Sequence, residues 1–207
     1  MIELQNVLLK DILAKVSEPN AQLGGGSAIL IGASLGISLV VKAIEATLKK
    51  NIEDREILLS SKTELLEAQR EFLRLAVEDG SSYDKVLAAR RMPKDTEKEI
   101  EEREKNIERA WRNSVDIPFQ AVELCVNVIK CTSCVSSILR RDFRYDVVSA
   151  LRLFEVSILG CLDNALDNSK HSCDDSYRKV CGTKSKFCND KFQQLRREIL
   201  DSLERGV

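Results

Sequence analysis

The chain is poor in the residues that most catalytic and recognition chemistry uses. Its 207 residues include one histidine, one tryptophan, two methionines and three prolines, and aromatics make up 5%. His171 stands alone in a polar stretch, so a Ser-His-Asp triad has no other residue for its usual base. An excess of charge is also missing: 32 Lys and Arg face 33 Asp and Glu, for a formal net charge of −1. No overall field draws in nucleic acid, and the signs are interspersed rather than blocked. Runs of period-two alternation are lacking, so no sheet is expected. There is no fixed-period repeat, no low-complexity segment and no signal-peptide pattern. The seven cysteines are odd in number, and several sit inside helical patterns. A reduced, cytoplasmic protein is expected rather than a disulfide scaffold.

What is present suits helices, since charged residues make up 31% and Glu, Lys, Arg, Leu and Ala are abundant. The chain is long enough for one large domain. Its organising stretch runs from Leu23 to Val41, LGGGSAILIGASLGISLVV. Ala28, Gly32 and Gly36 recur every four residues, a small-residue ridge that another backbone can approach closely. Apolar side chains cover the other directions, which predicts a buried helix. Nothing charged lies between Glu18 and Lys42, close to a bilayer-spanning length. The glycines and Ser27 occupy one end of that run, no basic flank precedes it, and there is no second span. The expectation is therefore the central helix of a soluble all-α domain, without a membrane or nucleic-acid partner.

Around it the spacing predicts a first helix over Ile2–Val16 and a third from Asn51, with Gly80 as a kink or stop. A charged helix follows, opened by a capping box of Thr96 with Glu99 and carrying Ile100, Ile107, Trp111 and Val115 as a thin apolar stripe. Pro118 opens or kinks the next helix. A buried helix runs from about Arg144 to Asn168. A terminal amphipathic helix carries Phe192, Leu195, Ile199 and Leu203. The fold class is all-α: one domain over 1–207, six to seven helices around a buried Gly/Ala-rich helix, with core 1–170 and polar tail 171–207.

Several residues admit two readings. Gly24, Gly25, Gly26 and Ser27 form either a turn with a cap, or a ligand wall whose free N–H groups favour an anion or carbonyl. Asp146 caps its helix, or is a cleft carboxylate that moves protons; Asp79, beside Gly80, is solvated at a helix break, or is a second such carboxylate. Cys131 and Cys134 make a CxxC inside an apolar helical run without a partner pair, which reads as core. The spacing of His171, Cys173, Cys181 and Cys188 fits no common zinc pattern, so no metal is expected.

Taken together, four stretches resemble one family. They are GGGSAILIGASLG, EDGSSYDKVLAARRMPKDTEKEIEERE over 78–104, the segment from Val115 to Pro118, and Tyr145-Asp146 followed by GCLDNALDN over 160–168. The chain is similar to the cyclodeaminase/cyclohydrolase family of tetrahydrofolate enzymes. That family includes the cyclodeaminase part of formiminotransferase-cyclodeaminase and stand-alone bacterial methenyltetrahydrofolate cyclohydrolases. Leu23 replaces the proline usual before the glycines, and the segment before Asp146 is more basic. The resemblance implies a homodimer with a folate site between helices, and no cofactor beyond the tetrahydrofolate substrate. It implies conversion of 5-formimidoyltetrahydrofolate to 5,10-methenyltetrahydrofolate and ammonia, or hydration of the methenyl form to 10-formyltetrahydrofolate. A helical interaction protein that kept the fold and lost catalysis is the remaining reading. The implied catalytic carboxylates are Asp146 first and Asp79 second. Gly24 to Ser27 and Tyr83 form walls, Asn164 and Asn168 bond the pterin, and Lys94 or Arg103 meets the glutamate tail.

Overall fold

A computed structural model describes residues 4–19, 23–50 and 53–205 of the chain, and among these every regular element is helical. Six α-helices follow in order: α1 (Leu9–Ser17), α2 (Gly25–Leu48), α3 (Arg55–Arg90), α4 (Glu97–Ser136), α5 (Arg144–Ser169) and α6 (Asp175–Arg205). Short 3₁₀ turns cover Leu4–Asn6 and Arg141–Phe143. The expected first helix is thus split, with Val7 and Leu8 between the two pieces; its start lies outside the described residues, as does the Asn51 cap.

Helices α2, α3, α4 and α5 close a ring in which each packs against the next and α5 returns to α2, while α6 lies across α4 and α5. Leu30, Ile37, Phe72, Ile129 and Phe154 are fully buried in the shared core. The α2–α5 contact is a reciprocal exchange. Phe154 of α5 fills the place of a side chain at Gly36, where a Cβ would stand 2.7 Å from the ring. Ile29 of α2 does the same at Gly160, where a Cβ would stand 2.8 Å from Cδ1. Ser157 Oγ donates to the Ile29 carbonyl at 2.7 Å and fixes the register of the pair. The expected small-residue ridge therefore splits as the helix rotates away from it: Gly36 faces α5, whereas Ala28 is exposed and Gly32 faces open space. Helix α2 is long and apolar enough to cross a bilayer, but half of its most apolar window is packed inside the bundle.

On the other side of α2, Gln69 Nε2 of α3 donates to the Ser34 carbonyl at 2.9 Å and Ser38 Oγ at 2.7 Å. Helix α3 runs unbroken through Gly80, because that glycine lies inside a packed helix rather than at its end. The capping box forms as expected: Thr96 Oγ1 accepts from Glu99 N, and Glu99 Oε2 accepts from Thr96 N at 2.9 Å. The helices expected on either side of Pro118 are one helix, α4, with the proline inside. A proline there removes the N–H that would bond the Ser114 carbonyl four residues back. That carbonyl instead accepts from Asn168 Nδ2 of α5 at 2.9 Å. Helix α6 starts well before the apolar residues that signalled it, and buries Cys181 and Cys188 along with Phe192 and Ile199.

Gly36→Ala adds a methyl group where Phe154 has no room to retreat, and overpacking of this kind costs about 1–3 kcal/mol. A denaturant melt should show that loss with an unchanged slope against denaturant.

Candidate active site

The glycine turn, the last third of α3, the middle of α4 and the end of α5 meet at one cavity of ≈ 260 Å³. Gly24, Gly25 and Gly26 form one wall, Asp79 and Tyr83 a second, Trp111 and Ser114 a third, and Asn164 and Asn168 the last. Helix α2 begins at Gly25 with Gly24 as its cap, so first-turn N–H groups without intrahelical partners lie along the glycine wall.

Gly26 is a glycine for a reason the structure makes plain. A Cβ there would stand 2.1 Å from Asp79 Oδ2 and 2.7 Å from Cγ. The carboxylate is pressed against the bare backbone of α2 and held from behind, with Asn164 Nδ2 donating to Oδ1 at 3.0 Å. Asn168 Nδ2 in turn donates to Asn164 Oδ1 at 3.1 Å, which fixes the Asn164 amide with its donor toward Asp79. Burial pushes the Asp79 carboxyl above its ordinary 3.8, and the bond from Asn164 works in the opposite direction. A carboxyl so placed exchanges its proton more readily near neutral pH than a free one does. Cys161 lies close by, but burial, with the Asp79 charge second, pushes its thiol to about 12. It stays protonated and serves as apolar packing.

The aromatic wall continues outward. Trp111 stacks on His171 with ring centroids 3.9 Å apart, Tyr83 tilts against it at 6.3 Å, and the Arg90 guanidinium lies 5.7 Å over its ring. Trp111, Ser114, Gly80 and Ser82 also line the cavity, although the sequence offered Trp111 only as part of an apolar stripe and Gly80 only as a kink or stop. A lone tryptophan on an apolar stripe gives the same signal as a packing residue.

Of the residues expected at a site, Gly24, Gly25, Gly26, Asp79, Tyr83, Asn164 and Asn168 come together. Ser27 does not face the cavity: it is buried, and its hydroxyl donates to the Ala76 carbonyl at 2.6 Å, tying α2 to α3. Lys94 is exposed in the α3–α4 connection. Arg103 Nε donates to the Arg90 carbonyl at 3.2 Å and closes the end of α3. Asp146 stands apart. It pairs with Lys42 at 3.1 Å, and Lys42 is 16 residues along α2 from Gly26, about 24 Å at helical rise. Among the described residues of one chain the cavity is lined by a single carboxylate, Asp79, because Asp146 and Asn164 sit at opposite ends of α5. Among the described residues no group of three or more His, Cys, Asp or Glu side chains is arranged to hold a metal ion.

A family model described as formiminotransferase-cyclodeaminase matches residues 8–186. The chain belongs to this family. The match therefore runs past the stretches that carry the resemblance, the last of which ends at Asn168, and into α6. Among curated relatives of the family, a methenyltetrahydrofolate cyclohydrolase of Methylorubrum extorquens is 30% identical over 115 residues. That alignment spans 55% of each chain, about half the length of the relative. Among solved structures, a formiminotetrahydrofolate cyclodeaminase from Thermotoga maritima superposes with a TM-score of 0.85, covering 98% of both chains at 18% identity. At that identity the likeness establishes the family's all-helical fold.

Two predictions follow from the packing around Asp79. Its folded pKa is raised, so the folded state holds the proton more tightly than the unfolded chain. The stability this contributes is fully present below the ordinary value and lost as pH rises through the folded value. Asp79→Asn removes that loss, so its melting temperature relative to the parent should climb between acid and neutral pH. Gly26→Ala forces the carboxylate to swing away from Asn164. Breaking that buried bond should cost about 1–3 kcal/mol of stability, read by a denaturant melt, while loss of a positioned proton-transfer group costs about 100-fold in turnover.

Proposed function

We propose that the cavity takes the one-carbon end of a reduced folate and that the chain is a 5-formimidoyltetrahydrofolate cyclodeaminase. Family membership supports the substrate class. The single observation that carries the reading is the Asp79 carboxylate, buried, aimed by Asn164 and pressed against the glycine turn.

The chemistry asks for one proton carrier beside a cation. N10 of the folate attacks the amidinium carbon on N5 and gives a tetrahedral centre that carries an amino group. Asp79 takes the N10 proton and passes it to that amino group. Ammonia then leaves, and the N5–C–N10 unit closes as the methenyl cation. The carboxylate stabilises the amidinium before it takes the N10 proton and the methenyl cation after it has passed that proton on, and its raised pKa matches it to deliver the proton that the departing amine needs. Asn164 and Asn168 hold the carboxylate, leaving the glycine-wall N–H groups and the Trp111 face for the pterin.

The curated relative favours a second reading, in which water adds to the methenyl carbon and gives one proton to Asp79; Asp79 returns that proton to N5 as the N5–C bond breaks, and the hydroxyl proton is lost to solvent as the formyl C=O forms, giving 10-formyltetrahydrofolate. A third point concerns assembly. A cavity of ≈ 260 Å³ lies below the range of about 300–1,000 Å³ usual for drug-sized ligands, so a single chain supplies part of the wall. Beside it, α2 and α5 carry exposed Leu35, Val156 and Leu159. A second copy on this apolar face, giving a homodimer, fits both features.

The test is methenyltetrahydrofolate absorbance with each substrate supplied separately. Absorbance should grow from the formimidoyl substrate, and Asp79→Asn should slow this at least about 100-fold, with the active species sedimenting as a dimer. Decay of the methenyl substrate without formimidoyl turnover establishes the second reading. A folded protein that turns over neither overturns both.

A further inference from the structure

The outer face shared by α2 and α5 carries two stripes that a single chain leaves uncovered. On α5 the exposed residues Arg152, Val156, Leu159 and Asp163 fall within about 60° of one another around the helix, at 100° per residue. On α2, Ala28 and Leu35 are exposed, with the half-buried Ile31 and Gly32 between them. Each stripe stands about a third of a turn around its helix from the residues that meet the other helix. The two helices run antiparallel, so both stripes open to one side of the pair.

Each stripe is complementary to itself. Turned end for end on a copy, α5 sets Arg152 against the partner's Asp163 and Val156 against the partner's Leu159. Within one chain Arg152 and Asp163 make no ion pair among the described residues, whereas Glu155 and Asp167 of the same helix pair with Arg196 and Lys170. Turned the same way, α2 sets Leu35 against the partner's Ala28 and Ile31 against the partner's Gly32, a large side chain on a small one each time. Gly32 has the room, since a Cβ there would meet nothing.

The two stripes agree on where the axis lies. The α5 pairs are symmetric about the point between Ser157 and Ile158, and the α2 pairs about the point between Ile31 and Gly32. The contacts of Ile29 with Gly160 and of Phe154 with Gly36 hold these two points at one height, to within about one residue or 1.5 Å. A single two-fold axis therefore satisfies both helices, as a closed dimer requires.

We propose that this face docks a second copy of the chain in that register, and that the docked copy completes the folate cavity. The same axis sets the partner's Asp146 level with Ser169, one residue from the cavity-lining Asn168. It sets the partner's Lys42, the ion-pair partner of that carboxylate, just beyond the glycine turn. The pair that is remote from the cavity of its own chain thus stands at the rim of the other's. The register rests on the fold alone; the share in the site rests on the folate reading.

Sedimentation of charge-exchanged variants tests this. The parent chain is expected to sediment as a dimer. Arg152→Glu and Asp163→Arg each set like charges opposite one another twice per dimer, and each should weaken self-association at least about 10-fold. Arg152→Glu combined with Asp163→Arg restores opposite charges and should restore the dimer. Both residues are exposed, so the variants keep the fold, which far-UV circular dichroism checks. Turnover of the formimidoyl substrate should fall in the single variants and return in the double one. A parent that sediments as a monomer, or that associates only with added lipid vesicles, overturns the proposal. So does a double variant no more dimeric than the single ones. Full turnover by monomeric single variants overturns the partner's share in the site. If neither folate is turned over by the parent, the folate reading fails, and sedimentation still decides the register.

Discussion

The site depends on a backbone carbonyl that its own helix cannot satisfy. Pro118 takes one N–H out of the α4 ladder, and the Ser114 carbonyl turns to Asn168 of α5 instead. From there the bonds run in one direction, Asn168 to Asn164 and Asn164 to Asp79. Each amide is oriented by the partner before it, so the carboxylate at the end inherits its position from a defect in a helix on the far wall. The same four groups cross-link α3, α4 and α5 at the level of the glycine turn. A buried polar chain of this kind rigidifies a site only when every member is satisfied, and here every member has its partner.

The glycines work at two levels. Gly36 and Gly160 let α2 and α5 exchange Phe154 and Ile29 across their contact, which sets how closely the two helices approach. At its beginning α2 meets α3, where Ser27 bonds the Ala76 carbonyl, just ahead of the last third of that helix. Gly26 then leaves bare backbone where the Asp79 carboxylate has to fit. Packing in the core and placement of the reactive group are thus one constraint read at two heights on the same helix. Ser27 belongs to the structural side, with its hydroxyl spent on α3 rather than offered to a ligand.

The site opens between aromatic and charged surroundings. Trp111 is covered on one side by His171, from the α5–α6 connection, and approached by Arg90 on another. The α5–α6 connection is itself tied down, because Glu108 accepts from Ser172 Oγ at 2.6 Å and from Cys173 N at 3.3 Å. The tail after residue 170, polar in sequence, therefore helps to build the aromatic wall. It also covers the core through Cys181, Cys188 and Phe192, buried residues of α6.

The all-helical class, the capping box at Thr96, the helix from Arg144 and the family were legible in residue order, because they rest on local spacing and local hydrogen bonds. Asp79, Tyr83, Asn164 and Asn168 were legible as candidates from the same stretches that carry the resemblance. What spacing leaves open is which end of a long helix faces which cavity. Asp146 and Asn164 share α5, yet 18 residues of helix, about 27 Å, separate them. Likewise, sequence marks Pro118 as the opening or a kink of a helix, whereas α4 runs through it with the freed Ser114 carbonyl accepting from the Asn168 amide across the bundle. The sequence by itself determined where helices form and which polar residues sit within apolar ones. Only the tertiary structure decided that Asp79, and not Asp146, meets the glycine turn, because that choice depends on the rotation and offset of helices packed far apart in the chain.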